Sequence, residues 1–235
     1  MPLHSVEPQR LYRQIADQLR KLIGKGEFVV GARLPAERDL ARQLGVSRPS
    51  VREALIALEV EGWVEVRTGS GVYVLNRSSR AAQTAPATEW GPLELIRARR
   101  VVEGEIAAIA ATNRTRKDLD AMARAIAAMR KLAEHDVAPL EGDRAFHVAI
   151  VESCDNVVLV ETVQGFWDSR KGVISMRLGG HFETARVWRL AIAEHQSILE
   201  TIAARDADAA RHAMHLHMDR SHSRFSASWR RAMPA

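Results

Sequence analysis

From Leu11 to Val74 the hydrophobic pattern changes period once, from helical to alternating, and that switch limits the fold more than any compositional total. Leu11, Ile15, Leu19, Leu22 and Ile23 recur at helical spacing, and Gly24 and Gly26 end the run. Pro35 opens a second short helix, AERDLARQLG, with Leu40 and Leu44 on one face and Gly45 as its stop. Ser47 is a favourable N-cap for a third helix from Arg48, and Pro49 is tolerated there because first-turn amides lack intrahelical partners. Val51, Ala54, Leu55 and Leu58 form that helix's apolar stripe. Beyond Gly62, WVEVR and VYVL place β-formers on either side of TGSG, which predicts a hairpin. Helix, helix, Gly-containing turn, helix and hairpin is the order of a winged helix-turn-helix.

Charge supports that reading. Residues 1–80 hold 13 Lys and Arg against 9 Asp and Glu, whereas the remaining 155 hold 21 against 20. The basic excess therefore sits where a polyanion would dock. Arg48 and Arg52 are four apart on the third helix, with Ser47 and Ser50 beside them. An arginine near a helix start can fork onto O6 and N7 of guanine in the major groove. Hydroxyls and helix N-termini suit phosphate. Arg38 in the second helix could brace the backbone, and Gly69 and Gly71 leave the wing tip bare enough to approach a minor groove.

The stretch GARLPAERDLARQLGVSRPSVREALIALEVEGWVEVRTGSGVYV resembles the DNA-binding domain of GntR-family regulators from about Leu11 to Val74. The resemblance implies that Arg38, Ser47, Arg48, Ser50, Arg52 and Gly69 touch double-stranded DNA. Pro49 departs from relatives with a non-proline there and removes one backbone donor.

From Asn76 to Pro92 the sequence NRSSRAAQTAPATEWGP loses all periodicity and reads as a linker. Beyond it the chain reads as helical throughout: Leu93–Thr112, Arg116–Glu134, Glu141–Ser153, one or two helices within 156–178, then Glu183–Ala204 and Asp206–Trp229. The expected organisation is a winged helix-turn-helix at 1–75, a linker at 76–91 and an all-α bundle at 92–235 that binds effector and dimerises. The fold class is mainly α. The single cysteine, Cys154, precludes an internal disulfide and suits a reducing cytoplasm. No apolar run approaches the roughly 18–20 residues of a membrane span, and MPLHSVEPQR lacks the apolar core of a secretory signal.

Asp143 and His147 are four apart, and His195 and His217 lie on two later predicted helices. One carboxylate and three imidazoles suit zinc, nickel or manganese, although Asp-x-x-x-His by itself is more often a surface pair. Arg99 and Glu103 form an R-x-x-x-E that on spacing alone is an i,i+4 salt bridge. The second half resembles the FCD-type effector domain of the FadR branch of the GntR family, through RARRVVEGEIAAIAA, D-x-x-x-H, EHxxIL and A-x-x-A-x-x-x-M-x-x-H. That resemblance implies a divalent metal, zinc first, on Asp143, His147, His195 and His217, with His215 facing away. It also implies an organic acid held by Arg99 beside Glu103. WGPLELIRARRVVEGEIAAIAA and GFWDSRKGVISMRLGGHF further resemble regulators of hexuronate use, which adds Arg170, Arg177 and His181 as candidate effector contacts, with the tryptophans read as core.

The expected function is a cytoplasmic, dimeric, metabolite-responsive regulator, a repressor rather than an enzyme. The alternatives are a metal-sensing regulator and a metalloenzyme. The last is disfavoured by the absence of an evident general base and by fusion to a DNA-binding domain.

Overall fold

The computed structural model describes residues 10–76 and 89–226. The chain divides into two compact units, one made of Met1–Leu93, Gly172–Leu178 and Ser226–Ala235, the other of Glu94–Lys171 and Gly179–Phe225. Most of the expected linker, residues 77–88, and the end of the last expected helix lie outside the described residues.

The first unit begins with α1 (Leu11–Gly24), α2 (Glu37–Leu44) and α3 (Arg48–Val60), followed by β1 (Val64–Arg67) and β2 (Gly71–Val74). α1 packs along α3 and α2 against the same helix. Tyr12, Ile15, Ala16 and Leu19 supply the buried face of α1, whereas Leu11, expected in that stripe, is half exposed. α2 starts after Pro35 and an extended Ala36, and ends in a left-handed Gly45 (φ 66°) whose amide donates to Ala41 O. Such a conformation favours glycine because it has no Cβ.

Ser47 caps α3 as expected: its side chain accepts from Ser50 N at 3.2 Å. The apolar stripe of α3 (Val51, Ala54, Leu55, Leu58) is buried together with Ile56 and Ala57. The strands pair antiparallel, with Val64 opposite Val74 and Val66 opposite Val72, so the four valines face the core. Arg33 bridges Tyr73 on the free edge of β2 and lies across Gly71, where a Cβ would come within 2.5 Å of its Nε.

This unit also contains the first residues of α4 (Pro92–Asn113) and the start of α8 (Val173–Phe182). Their amides are held by carboxylates of the same unit. Glu53 on α3 accepts from Leu93 N at 2.7 Å, and Glu89 accepts from Ile174 N at 2.9 Å. Arg177 pairs with Glu59 at 3.0 Å.

The second unit contains the rest of α4 and α8 with α5 (Arg116–Ala133), α6 (Leu140–Glu152), α7 (Val157–Ser169), α9 (Ala185–Ala203) and α10 (Ala207–Ser226). α5 packs against both α6 and α9, and α6 against α7. Side-chain caps fix three helix starts. Thr115 and Asp118 form a capping box on α5, Asn156 caps α7 and Thr184 caps α9. The core is built from Ile106, Met122, Ile126, Met129, Phe146, Ile150, Val163, Ile198, Ile202, Met214 and Met218. Among the described residues no helix is long and apolar enough to cross a membrane.

Candidate functional site

Two groups of residues carry chemistry, one on each unit. On the first, α2, the start of α3 and the wing present the candidate DNA contacts. Arg38 and Arg48 are open to solvent, with side chains 75% and 50% exposed. Ser47 is exposed at the head of α3, and Gly69 sits at the wing tip with φ 80°. The other two candidates are covered. Ser50 is buried, with its hydroxyl 2.8 Å from Ser47 Oγ.

Arg52 is almost wholly buried, and its guanidinium grips Glu37 of α2 through Nε at 2.7 Å and Nη2 at 2.5 Å. The i,i+4 spacing suggested a free basic pair, but the structure separates Arg48 from Arg52. The acidic Glu37, which the sequence reading did not single out, satisfies the inner arginine. The sequence signal was available, because Glu37 and Arg52 both fall on the buried faces of adjacent helices.

On the second unit, α6, α9 and α10 bring His147, His195 and His217 together. One nitrogen from each lies within 4.8 Å of the others, and all three side chains are buried. Asp143, one turn before His147, joins them: its Oδ1 lies 3.1 Å from His195 Nε2 and 3.6 Å from His147 Nε2. The expected four residues therefore converge, while His215 packs instead against Gly104 of α4.

Two of the imidazoles have their outer nitrogen occupied. Glu103 Oε2 lies 2.5 Å from His147 Nδ1, and His217 Nδ1 donates to Glu194 at 2.9 Å. The inner nitrogens of His147 and His195 stand 3.3 Å apart beside a carboxylate oxygen. A neutral imidazole whose Nδ1 carries the proton presents only a lone pair at Nε2. Lone pairs and a carboxylate converging in a dry site call for a cation between them, so the donor set fits a divalent metal of borderline hardness.

The electrostatics agree. Burial depresses His147, and burial together with His195 holds His217 down to about 3, so both rings are neutral and able to ligate at neutral pH. Burial alone would raise Asp143, but the His195 contact and Arg170 outweigh it and hold the carboxyl well below its usual value. Glu103 and Glu194, also buried, are each held down to about 2, the first by Arg99 and His147 and the second by His217 and Arg224.

The candidate effector contacts divide. Arg99 is buried, donates Nε–H to Glu103 at 2.6 Å and stacks over Trp167, 4.4 Å from the ring centroid. Arg170 stacks on the same ring at 5.0 Å and links Asp143 to Glu183, each at 2.8 Å. Trp167 is core, as expected, but it also carries two guanidiniums, while Trp90 is exposed. Glu103 does not suit an acid: both oxygens are engaged and its negative charge would repel a carboxylate. Arg177 is brought not to this cluster but to Glu59 in the first unit, and His181 lies in the last turn of α8 outside the histidine triad.

Sequence reasoning missed Glu194 and Arg224. Arg224 makes two contacts to Glu194, at 2.8 and 3.1 Å. Their signal was helical: His217, Arg220 and Arg224 recur at i, i+3 and i+7 on one face of α10, and Glu194 directly precedes His195.

The family comparisons follow the same division. The model for bacterial regulatory proteins of the gntR family matches residues 11–74, and the FCD domain model matches residues 94–220. The Uxu operon transcriptional regulator of Escherichia coli K12 is 38% identical over 218 residues, spanning 90% of this chain and 85% of the relative. The Exu regulon transcriptional regulator of the same organism is 36% identical over 222 residues, spanning 91% and 83%. Among solved structures, McbR/YncC of E. coli aligns with a TM-score of 0.51 at 22% identity, over 90% of this chain and 95% of that one, a likeness of fold. With a reading head on one unit and a buried histidine cluster on the other, the chain belongs to the GntR family and is a DNA-binding transcriptional regulator with an FCD domain, not an enzyme.

Proposed function

We propose that the chain represses a sugar-acid catabolic operon and leaves its operator when a hexuronate-type acid binds beside a divalent metal in the helical unit. The observation that carries the reading is the pairing of the histidine cluster with Arg99. A small carboxylate entering a buried site needs a cation partner, or its desolvation is uncompensated. Arg99 is buried, and among the described residues only its Nε donates a hydrogen bond to the protein. Its terminal nitrogens are thus available for a two-pronged contact with a carboxylate.

Trp167 fixes the plane of the Arg99 guanidinium, and Arg170 stands on the same ring. A divalent ion on Asp143, His147, His195 and His217, zinc first and nickel or manganese as alternatives, would supply a Lewis acid for the acid's neighbouring oxygen. That pairing favours a hydroxy- or keto-acid over a fatty acid. Kinship with the Uxu and Exu regulators supports a hexuronate.

The reading head is proposed to act in a homodimer on a near-palindromic operator in the cytoplasm, because one winged helix reads one half-site. Arg38, Ser47, Arg48 and Gly69 are the open contacts, and Ser50 and Arg52 support them from behind. The test is titration of glucuronate, galacturonate and their keto-isomers into an operator complex of the metal-loaded protein. A coupling of about 1–3 kcal/mol would weaken operator binding roughly 5- to 150-fold. If none of these acids shifts binding and R99A responds like the parent to whichever acid does, the reading is wrong. Release of DNA by a chelator without any acid would make the metal itself the effector.

A further inference from the structure

The histidine cluster is asymmetric in a way the four candidate ligands do not account for. His147 and His217 each have a buried carboxylate oxygen at Nδ1, Glu103 at 2.5 Å and Glu194 at 2.9 Å, whereas among the described residues no carboxylate pairs with His195 Nδ1. Each carboxylate is in turn held by an arginine, Glu103 by Arg99 and Glu194 by Arg224. Two chains of the form arginine–carboxylate–imidazole therefore run inward from different helices. One starts on α4 and ends on α6. The other starts on α10, passes through α9 and returns to α10.

We infer that Glu103 and Glu194 are positioning residues for a metal ion, each fixing the tautomer and ring orientation of one histidine so that its Nε2 lone pair faces the centre. This rests on the proposed metal site. The physical reason is tautomeric. A neutral imidazole with a free choice protonates either nitrogen, and protonation at Nε2 removes the ligand atom. A carboxylate accepts hydrogen bonds only, so placing one at Nδ1 decides the matter and makes Nε2 a better donor. Each arginine holds its carboxylate in place against the ring, where a solvated surface glutamate would be free to turn away. His195 is left as the least constrained ligand, held only by packing against Phe146 (centroids 4.7 Å apart) and by the inner contacts themselves.

The test is competition for zinc between the full-length protein and a chromophoric chelator, using the parent, E103Q, E194Q and E200Q. Glutamine keeps the size of the side chain but removes the charge and can present its NH2 group to Nδ1. Removing such an outer partner typically costs 10- to 100-fold in metal affinity. That loss is expected for E103Q and E194Q, while E200Q, on an exposed turn of α9, binds as the parent does. Cobalt(II) in place of zinc gives a second readout: the visible bands should shift or weaken in E103Q and E194Q, which a purely structural role would not cause. Where E103Q fails to fold because Arg99 loses its buried counter-ion, E194Q carries the test, since the Arg224 side chain retains 17% exposure. Zinc affinities and cobalt spectra equal to the parent's in both variants overturn the inference while leaving the metal site standing. A parent that takes up no zinc overturns both.

Discussion

The two units use the same buried pairing to opposite ends. In the reading unit, Arg52 and Glu37 form a closed contact: the guanidinium and the carboxylate satisfy one another, and the groups proposed to meet DNA stay outside it. In the helical unit, Arg99 with Glu103 and Arg170 with Asp143 do not close. Each continues onto an imidazole, and the last atoms of the chain, the inner ring nitrogens and Asp143 Oδ1, face one another. A buried polar network that closes on itself is part of the fold. One that ends in converging lone pairs has the donors to hold a cation. Burial alone does not separate the two cases; tracing where each hydrogen bond goes does.

Removing ligands from the open network should have the largest effect. Replacing His147 and His195 together with alanine should take metal content from about one ion per chain to none, by elemental analysis of the purified protein. The melting transition of the reading unit should survive, because its core draws on none of these residues. A double variant that still carries one ion per chain would refute the four-residue site.

The closed pair gives the next largest effect. R52A takes from the buried Glu37 carboxylate its close partner, and breaking a buried pair in this way costs about 3–5 kcal/mol. R48A removes an exposed side chain that only grazes Glu37 at 3.9 Å, so the fold should hold. Its loss should appear instead in operator affinity, at about 1–3 kcal/mol if the guanidinium forks onto a guanine. Thermal melts and gel shifts on both variants distinguish the roles. If R52A melts like the parent and loses only DNA binding, the pair is not structural and Arg52 turns outward to read the operator.

Legibility in the sequence differed between the units for a physical reason. The reading head is contiguous: three helices, a turn and a hairpin follow one another within 64 residues, so period, caps and glycines were enough to order them. What periodicity missed was tertiary. Leu11 lies on the helical stripe by spacing, but Tyr12 takes the buried place, and Arg52 is turned inward by a carboxylate fifteen residues away. In the helical unit the elements were legible within a few residues, yet the site was not, because its ligands come from three helices and span 143 to 217. The spacing of Asp143 and His147 gave one turn of it, and the resemblance to the FCD domain supplied His195 and His217. Neither source gave Glu194 or Arg224, whose role depends on which face of α10 meets α9. Sequence proximity was equally silent on pairing: Arg177 shares a sequence stretch with Arg170 but pairs with Glu59.

The finest distinction concerns Ser47, which stands on both sides of the comparison. Its hydroxyl caps α3, a structural task, and it is exposed at the surface proposed to face phosphate. Losing an N-cap to alanine costs about 1 kcal/mol, so S47A should lower the melting temperature modestly. Its effect on operator binding should be small, since a single neutral hydrogen bond is removed. Aspartate caps as well as serine, and its negative charge is favourable at a helix N-terminus. S47D should therefore melt at or above the parent temperature. The same charge would face the phosphates at close range, and like charges brought together without a counter-ion repel. Operator affinity should fall at least about tenfold, with the deficit shrinking as salt rises, because screening weakens the repulsion. A stable S47D that binds the operator as the parent does would mean that Ser47 serves the helix alone and that the DNA lies elsewhere on this unit.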